Sequence, residues 1–291
     1  MQIAFHLGAP HTDEDQLIWS LREDRHALGA AGVVIPRPRA YRSRMSEITP
    51  KLRGESLPSH EQAAMLEDFG ATADTQRVVL SDPKFICSPK KIWHEGRFYG
   101  KAGFKTAWLR QTFSDHQAEF FLGVRNPVSF LSDLLREHAP MTLADHTQGA
   151  SPGGMFWSDV VRSIRDDNPT CPVTVWCTED TPVIWPLVMA ALGGIEPDTP
   201  LDGAARIALP LLTPEGQASL IDTIGDPIKT DMLETLTALD QHMSAYVDED
   251  ALDEVIDIPG WTEEHVEAMT DAYEEDLERI RTMHGITFIR P

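Results

Sequence analysis

The stretch Gln2-Ile3-Ala4-Phe5-His6-Leu7-Gly8-Ala9-Pro10-His11-Thr12-Asp13-Glu14-Asp15-Gln16-Leu17-Ile18-Trp19-Ser20-Leu21 decides the fold. Ile3 to Leu7 is a short apolar run that stops at a Gly8–Thr12 turn, the pattern of a buried strand. From Asp13 to Leu28 the residues Leu17, Ile18, Leu21 and Leu28 recur at helical spacing, and Gly29 closes the helix. Val33 to Ile35 then reads as a second strand. Strand, helix and strand in so short a span predict a βαβ unit with a right-handed crossover, and so a parallel sheet covered on both faces.

Working outward, Arg77 to Ser81, Ala118 to Val124 and Val173 to Cys177 are short apolar runs that predict a third, fourth and fifth strand. Helical patterns separate most of them. The expected fold is a three-layer α/β/α arrangement with a mainly parallel sheet, in one domain over residues 1–291. In such sheets a ligand lies beyond the carboxyl ends of the strands, here near residues 8–15, 36–44, 82–95 and 125–132. Pro36 to Arg53 carries six Lys and Arg against one acid and reads as a basic loop on that side. Gly149 to Gly154 reads as a flexible connection.

The charge is uneven. Residues 1–110 hold 16 Lys and Arg against 13 acids, and residues 111–291 hold 9 against 33. A net charge of −21 opposes general nucleic-acid binding and assigns a small anionic ligand to the first half. Asp240 to Glu278 has 15 acids and no Lys or Arg, yet Trp261, Val266, Met269, Tyr273, Leu277 and Ile280 keep helical spacing. Residues 240–291 are therefore expected to form an acidic helical C-terminal extension, which offers a surface for a protein partner, with Ile286 to Ile289 as a last strand. No apolar window approaches a membrane span and no basic leader precedes an apolar stretch, so the expectation is a cytoplasmic protein without a membrane partner. Cys87, Cys171 and Cys177 form no CxxC pair, which points to buried thiols rather than a disulfide or a metal site.

Two motifs carry a family resemblance. Phe5-His6-Leu7-Gly8-Ala9-Pro10-His11-Thr12-Asp13-Glu14-Asp15-Gln16-Leu17 aligns without a gap to the bacterial sulfotransferase loop H-I-G-x-x-K-T-G-T-T-x-L. Val124-Arg125-Asn126-Pro127-Val128-Ser129-Phe130-Leu131-Ser132 matches the same family's R-[DN]-P-x-x-R-x-x-S. The chain thus resembles the sulfotransferases of the phosphate-loop (P-loop) nucleoside triphosphate hydrolase fold, through motifs that cover less than a tenth of it. The resemblance implies 3′-phosphoadenosine 5′-phosphosulfate as cofactor, with its 5′ end against Gly8, His11 and Thr12 and its 3′-phosphate on Arg125 and Ser132. His11 stands at the position of the family's lysine. A catalytic base for the acceptor would come from His94 or Glu95, beyond the third strand.

The first loop departs from the family where charge matters. Its lysine is His11, its glycine is Asp13, and its two hydroxyl residues are Glu14 and Asp15. Thr12-Asp13-Glu14-Asp15 also matches the capping pattern [ST]-x-x-[DE], so the chain is expected to satisfy this helix start with its own side chains. The second motif has Phe130 for the family's second arginine. The reading that follows is a degenerate relative that binds an adenosine nucleotide or another anionic small molecule without sulfate transfer. An active sulfotransferase or nucleoside triphosphate hydrolase, and a non-catalytic interaction protein, are the alternatives.

Overall fold

Ile3 to His6 are buried on both sides of the backbone, and so is every residue of Arg77–Ser81 and Val173–Cys177. Strands sandwiched between two helical layers show this burial. The computed structural model describes residues 1–196 and 198–291. Its strands are β1 (Gln2–His6), β2 (Val33–Val34), β3 (Arg77–Ser81), β4 (Trp93–His94), β5 (Arg97–Phe98), β6 (Gln117–Val124), β7 (Val173–Cys177) and β8 (Ile286–Ile289). Six of them form one parallel sheet in the order β2-β3-β1-β6-β7-β8, while β4 and β5 pair as a small antiparallel hairpin. His6 lies opposite Ser81 on one side and Phe121 on the other, which fixes the register at the carboxyl edge.

Successive side chains of a strand point to opposite faces, and the two cores follow from that. Ile3, Phe5 and Leu7 join Phe120, Leu122 and Trp157 on one face, whereas Ala4 joins Leu17, Leu21, Trp185 and Val188 on the other. The result is the expected three-layer α/β/α fold. The helices after β1 and β6 lie on opposite faces, so a crevice opens between the carboxyl ends of these neighbouring strands.

Several sequence expectations change. The helix expected over Asp13 to Leu28 is two helices, Gln16–Glu23 and Arg25–Ala30, joined at Asp24. Pro36 to Arg53 is not a loop, because Pro38–Leu52 is helical, with Pro38 in the first turn where its missing N–H costs nothing. Tyr41, Met45 and Thr49, spaced by four, are its buried face. The acidic segment is not one helix either. Met232–Tyr246, Glu249–Leu252 and Glu263–Arg281 are separate, with Pro259 and Gly260 in the gap before the last. Tyr273, Leu277 and Ile280 pack into the body, and Val173 to Trp176 of β7 pair with β8, so residues 240–291 complete the core and the sheet. Among the described residues, no helix is long and apolar enough to cross a membrane.

Candidate functional site

The crevice is built from the ends of β1 and β6. After His6 the chain turns sharply at Gly8, whose φ is +53° and where an added Cβ would lie 2.8 Å from the Pro83 Cα. Gly8→Ala is expected to lower the unfolding free energy by about 2 kcal/mol or more, since a left-handed Cβ alone costs roughly 1 to 2 kcal/mol and the Pro83 backbone must also shift. Urea titration checks this.

His11, Glu14 and Asp15 also have positive φ, an unfavourable backbone that the surrounding bonds hold in place. The Thr12 hydroxyl donates to the Ala9 carbonyl at 2.7 Å, and Asp13 Oδ2 accepts the Leu17 N–H at 3.2 Å. The capping pattern read from Thr12 to Asp15 therefore does not form. Asp15 is drawn away by Arg42, which donates to its two oxygens at 2.8 and 2.5 Å and to the Ser81 carbonyl at 2.8 Å. A carboxylate still serves the helix start, but it is that of Asp13. Glu14 is exposed, and His11 Nδ1 lies 3.8 Å from it. His11 Nε2 sits 3.1 Å from a Glu137 carboxylate oxygen, off the hydrogen-bonding direction. The three acids thus point to three different partners. Among the described residues no group of three or more His, Cys, Asp or Glu is arranged to hold a metal ion.

At the end of β6, Asn126 caps the helix Pro127–Glu137 by accepting the Val128 N–H at 2.9 Å. Arg125 is almost enclosed. Its guanidinium donates to the His11 carbonyl at 2.7 Å, to Asp133 at 2.6 Å and to Glu254 at 2.7 Å. Burial disfavours the charge, yet Asp133 and Glu254 hold the Arg125 pKa above its ordinary value. The other oxygen of Glu254 accepts from the Ser129 hydroxyl. Ser132 donates to the Val255 carbonyl at 3.1 Å and accepts the Asp257 N–H at 2.9 Å. The segment around Glu254 therefore already holds Arg125, Ser129 and Ser132, the polar side chains of the second motif.

Glu179, at the end of β7, accepts from the Asn126 N–H at 2.7 Å, the Cys177 thiol at 2.8 Å and the Tyr273 hydroxyl at 3.0 Å. Burial, with Glu179 beside it, pushes the Cys177 thiol up to about 12, so it stays protonated and is no nucleophile. Glu179 fastens the last long helix to the sheet edge.

His11, Thr12, Arg125 and Glu254 share one cleft of about 410 Å³. Ser132 is buried beneath its neighbours, and Gly8 shapes the turn without lining the cleft. His94 lines a different cavity, of about 540 Å³, while Glu95 projects into solvent with its side chain 82% exposed. The structure accordingly gathers His11 and Thr12 with Arg125, leaves Gly8 and Ser132 off the cleft, and sets His94 and Glu95 apart from it. Glu254 and Ser129 were missed from sequence, since nothing distinguishes Glu254 within its acidic run.

His6 is fully buried, bonds Ser81 Oγ through Nδ1 at 2.9 Å and stacks on Trp176. Burial holds its pKa below the ordinary 6.5, against the pull of Asp13. The unfolded chain then binds more protons between the folded and unfolded pKa values, so this stabilisation is full above pH 6.5 and is lost as the pH falls. His116 and His146, lowered by burial too, act with the same sign. Unfolding free energy is expected to fall from about pH 7 to about pH 5.5, with a shallower slope for His6→Asn.

Comparison of the chain with family models, with characterised proteins and with solved structures finds no match.

Proposed function

We propose that this chain is a phosphate-loop-type protein resembling sulfotransferases, in which the cationic groups of the nucleotide cleft are taken up by the chain's own carboxylates, so that it transfers no sulfate. The observation that carries this reading is the enclosure of Arg125 by Asp133 and Glu254. A 3′-phosphate approaching Arg125 meets two carboxylates before it meets a cation. At about 4 Å and an effective dielectric near 20, each such pair costs on the order of 4 kcal/mol. One hydrogen bond to a charged group returns roughly 1.5 to 3 kcal/mol.

The 5′ end of a phosphosulfate fares no better. Where charge on the transferring group needs a lysine, His11 lies between Glu14 and Glu137, and Asp13 already accepts at the helix start. The residues present do not fit 3′-phosphoadenosine 5′-phosphosulfate. Three free thiols, Cys87, Cys171 and Cys177, support a reducing compartment, and with it the cytoplasm.

Thermal unfolding with 3′-phosphoadenosine 5′-phosphate and with its phosphosulfate tests the reading, because native-state binding at 100 times Kd adds about 2.7 kcal/mol of stability. The wild-type protein is expected to show no shift with either. Glu254→Gln, which removes one of the two competing charges, is expected to gain a shift with the bisphosphate. A shift in the wild-type protein that Arg125→Ala abolishes would overturn the proposal.

A further inference from the structure

The cavity of about 540 Å³ lies on the other side of the first loop, between the helices Pro38–Leu52 and Ala102–Thr112 and beneath the β4–β5 hairpin. Its apolar wall comes from Met45, Phe85, Ile86, Trp93 and Leu109. Lys84, Lys91, Lys101 and Lys105 also line it. Among the described residues, none of these four has a carboxylate within 4.0 Å, although the chain holds 46 acids against 25 Lys and Arg. Asp82 is the one carboxylate of the lining, and burial raises its pKa, with its Oδ1 accepting the Lys84 N–H at 2.9 Å.

A second observation points to a ligand. Tyr99 lines the same cavity, and its buried hydroxyl has no hydrogen-bond partner. An unsatisfied buried hydroxyl is costly unless something else supplies the partner. Its position is not accidental: Tyr99 is held at φ +46°, rare for a bulky residue, and its ring packs against Phe98 and Trp157. Burial raises the Tyr99 pKa well above its ordinary value, so the hydroxyl keeps its proton and remains a donor. Burial, and to a lesser degree the neighbouring Lys101 and Lys91, lowers the Lys105 pKa. The Lys105 ammonium rests over the Trp108 ring at 5.1 Å.

We propose that this cavity is a binding site for a small organic acid with an aromatic body. Its ring lies against Phe85, Trp93 and Leu109, and its anionic group accepts from Lys101, Lys105 and the Tyr99 hydroxyl. A volume of about 540 Å³ falls within the range of small-molecule sites, which combine an apolar wall with a few convergent polar groups. Cys87 belongs to the wall as a protonated thiol, since burial pushes it up to about 12. The site does not use Arg125 or the first loop, so it stands whether or not the nucleotide cleft is closed.

Fluorescence titration with 1-anilinonaphthalene-8-sulfonate, an aromatic anion of suitable size, tests the site in the full-length protein. Saturable binding is expected, and the Lys101→Gln/Lys105→Gln double variant should lose about tenfold or more in affinity, as charge-assisted hydrogen bonds are removed. Both lysines lie at the rim, one exposed and one half-buried, so folding is not at stake. Tyr99→Phe is expected to bind severalfold more weakly while its unfolding temperature stays the same or rises, which a merely structural tyrosine would not show. N-phenyl-1-naphthylamine, the same body without the sulfonate, should bind weakly and be indifferent to the lysine changes. Equal affinity of the double variant and the wild type, or equal binding of the neutral probe, would overturn the assignment.

Discussion

Replacing Arg77 with alanine is expected to remove about 3 to 5 kcal/mol of unfolding free energy, the usual cost of breaking a buried ion pair from one side. Arg77 sits in β3 near the amino edge of the sheet, away from the crevice. Its side chain is 7% exposed and lies 2.7 Å from Glu119 of β6, across the intervening β1. The same guanidinium donates to Gln2 of β1 at 2.8 Å and to the Leu192 carbonyl at 2.9 Å. Leu192 belongs to the last turn of the helix Thr181–Gly193, where unpaired carbonyls concentrate partial negative charge. One cation thus joins three adjacent strands to a helix end. Alanine leaves Glu119 without its counter-charge and the carbonyl without a donor, and each loss adds to the other because both groups are shielded from water. Arg77→Lys keeps the charge but offers no planar fork, and is expected to recover only part of the loss. Equilibrium unfolding of the three proteins in urea gives the comparison. A loss below 1 kcal/mol for Arg77→Ala would mean that water replaces these bonds readily.

The sheet was legible in the sequence because a parallel strand buried on both faces is a continuous apolar run with little room for polar residues. The strands Arg77–Ser81 and Val173–Cys177 coincide with the runs that the sequence predicts for that reason. The helix Pro38–Leu52 was hidden by its composition. Four basic residues mask a buried stripe of only three, and Pro38 and Pro50 resemble loop residues until the N-terminal position of the first proline is considered. The residues at strand ends that face the crevice were legible through motifs, since a strand-to-helix turn places polar groups beside unpaired N–H groups wherever it occurs.

What those residues bond to was not legible. Arg125 and Glu254 are 129 positions apart, and an ion pair between surface-type residues leaves no pattern in either neighbourhood. The cap on the first helix failed for a related reason. Asp15 had a local role available, and a distant arginine, Arg42, offered a better one. Lys101 and Lys105 can be placed on one helix face by their spacing of four. That they remain unpaired around a cavity, beside a tyrosine hydroxyl without a partner, is a fact of tertiary structure alone.

Gly103→Val is expected to destabilise the protein by about 3 kcal/mol or more, at the upper end of what overpacking costs. Gly103 opens the helix Ala102–Thr112, which crosses the helix Trp157–Asp167 so closely that a Cβ would lie 2.2 Å from the Ser163 carbonyl oxygen and 2.5 Å from an Asp167 carboxylate oxygen. The Asp167 side chain can turn aside, but the Ser163 carbonyl is backbone inside a helix and cannot move alone. Relief therefore requires the two helices to separate, which opens the packing of Trp157, Val161 and Leu109 beneath them. The small gain in helix propensity on leaving glycine, below about 1 kcal/mol, does not offset this. The displaced helix carries Lys105, and Lys101 immediately precedes it, so the substitution also reports on the cavity. Affinity for 1-anilinonaphthalene-8-sulfonate should fall in Gly103→Val even at temperatures where its circular dichroism remains native. A variant that loses stability and keeps full affinity would show that the helix end holding Lys101 and Lys105 is anchored by the hairpin above it rather than by the helix below.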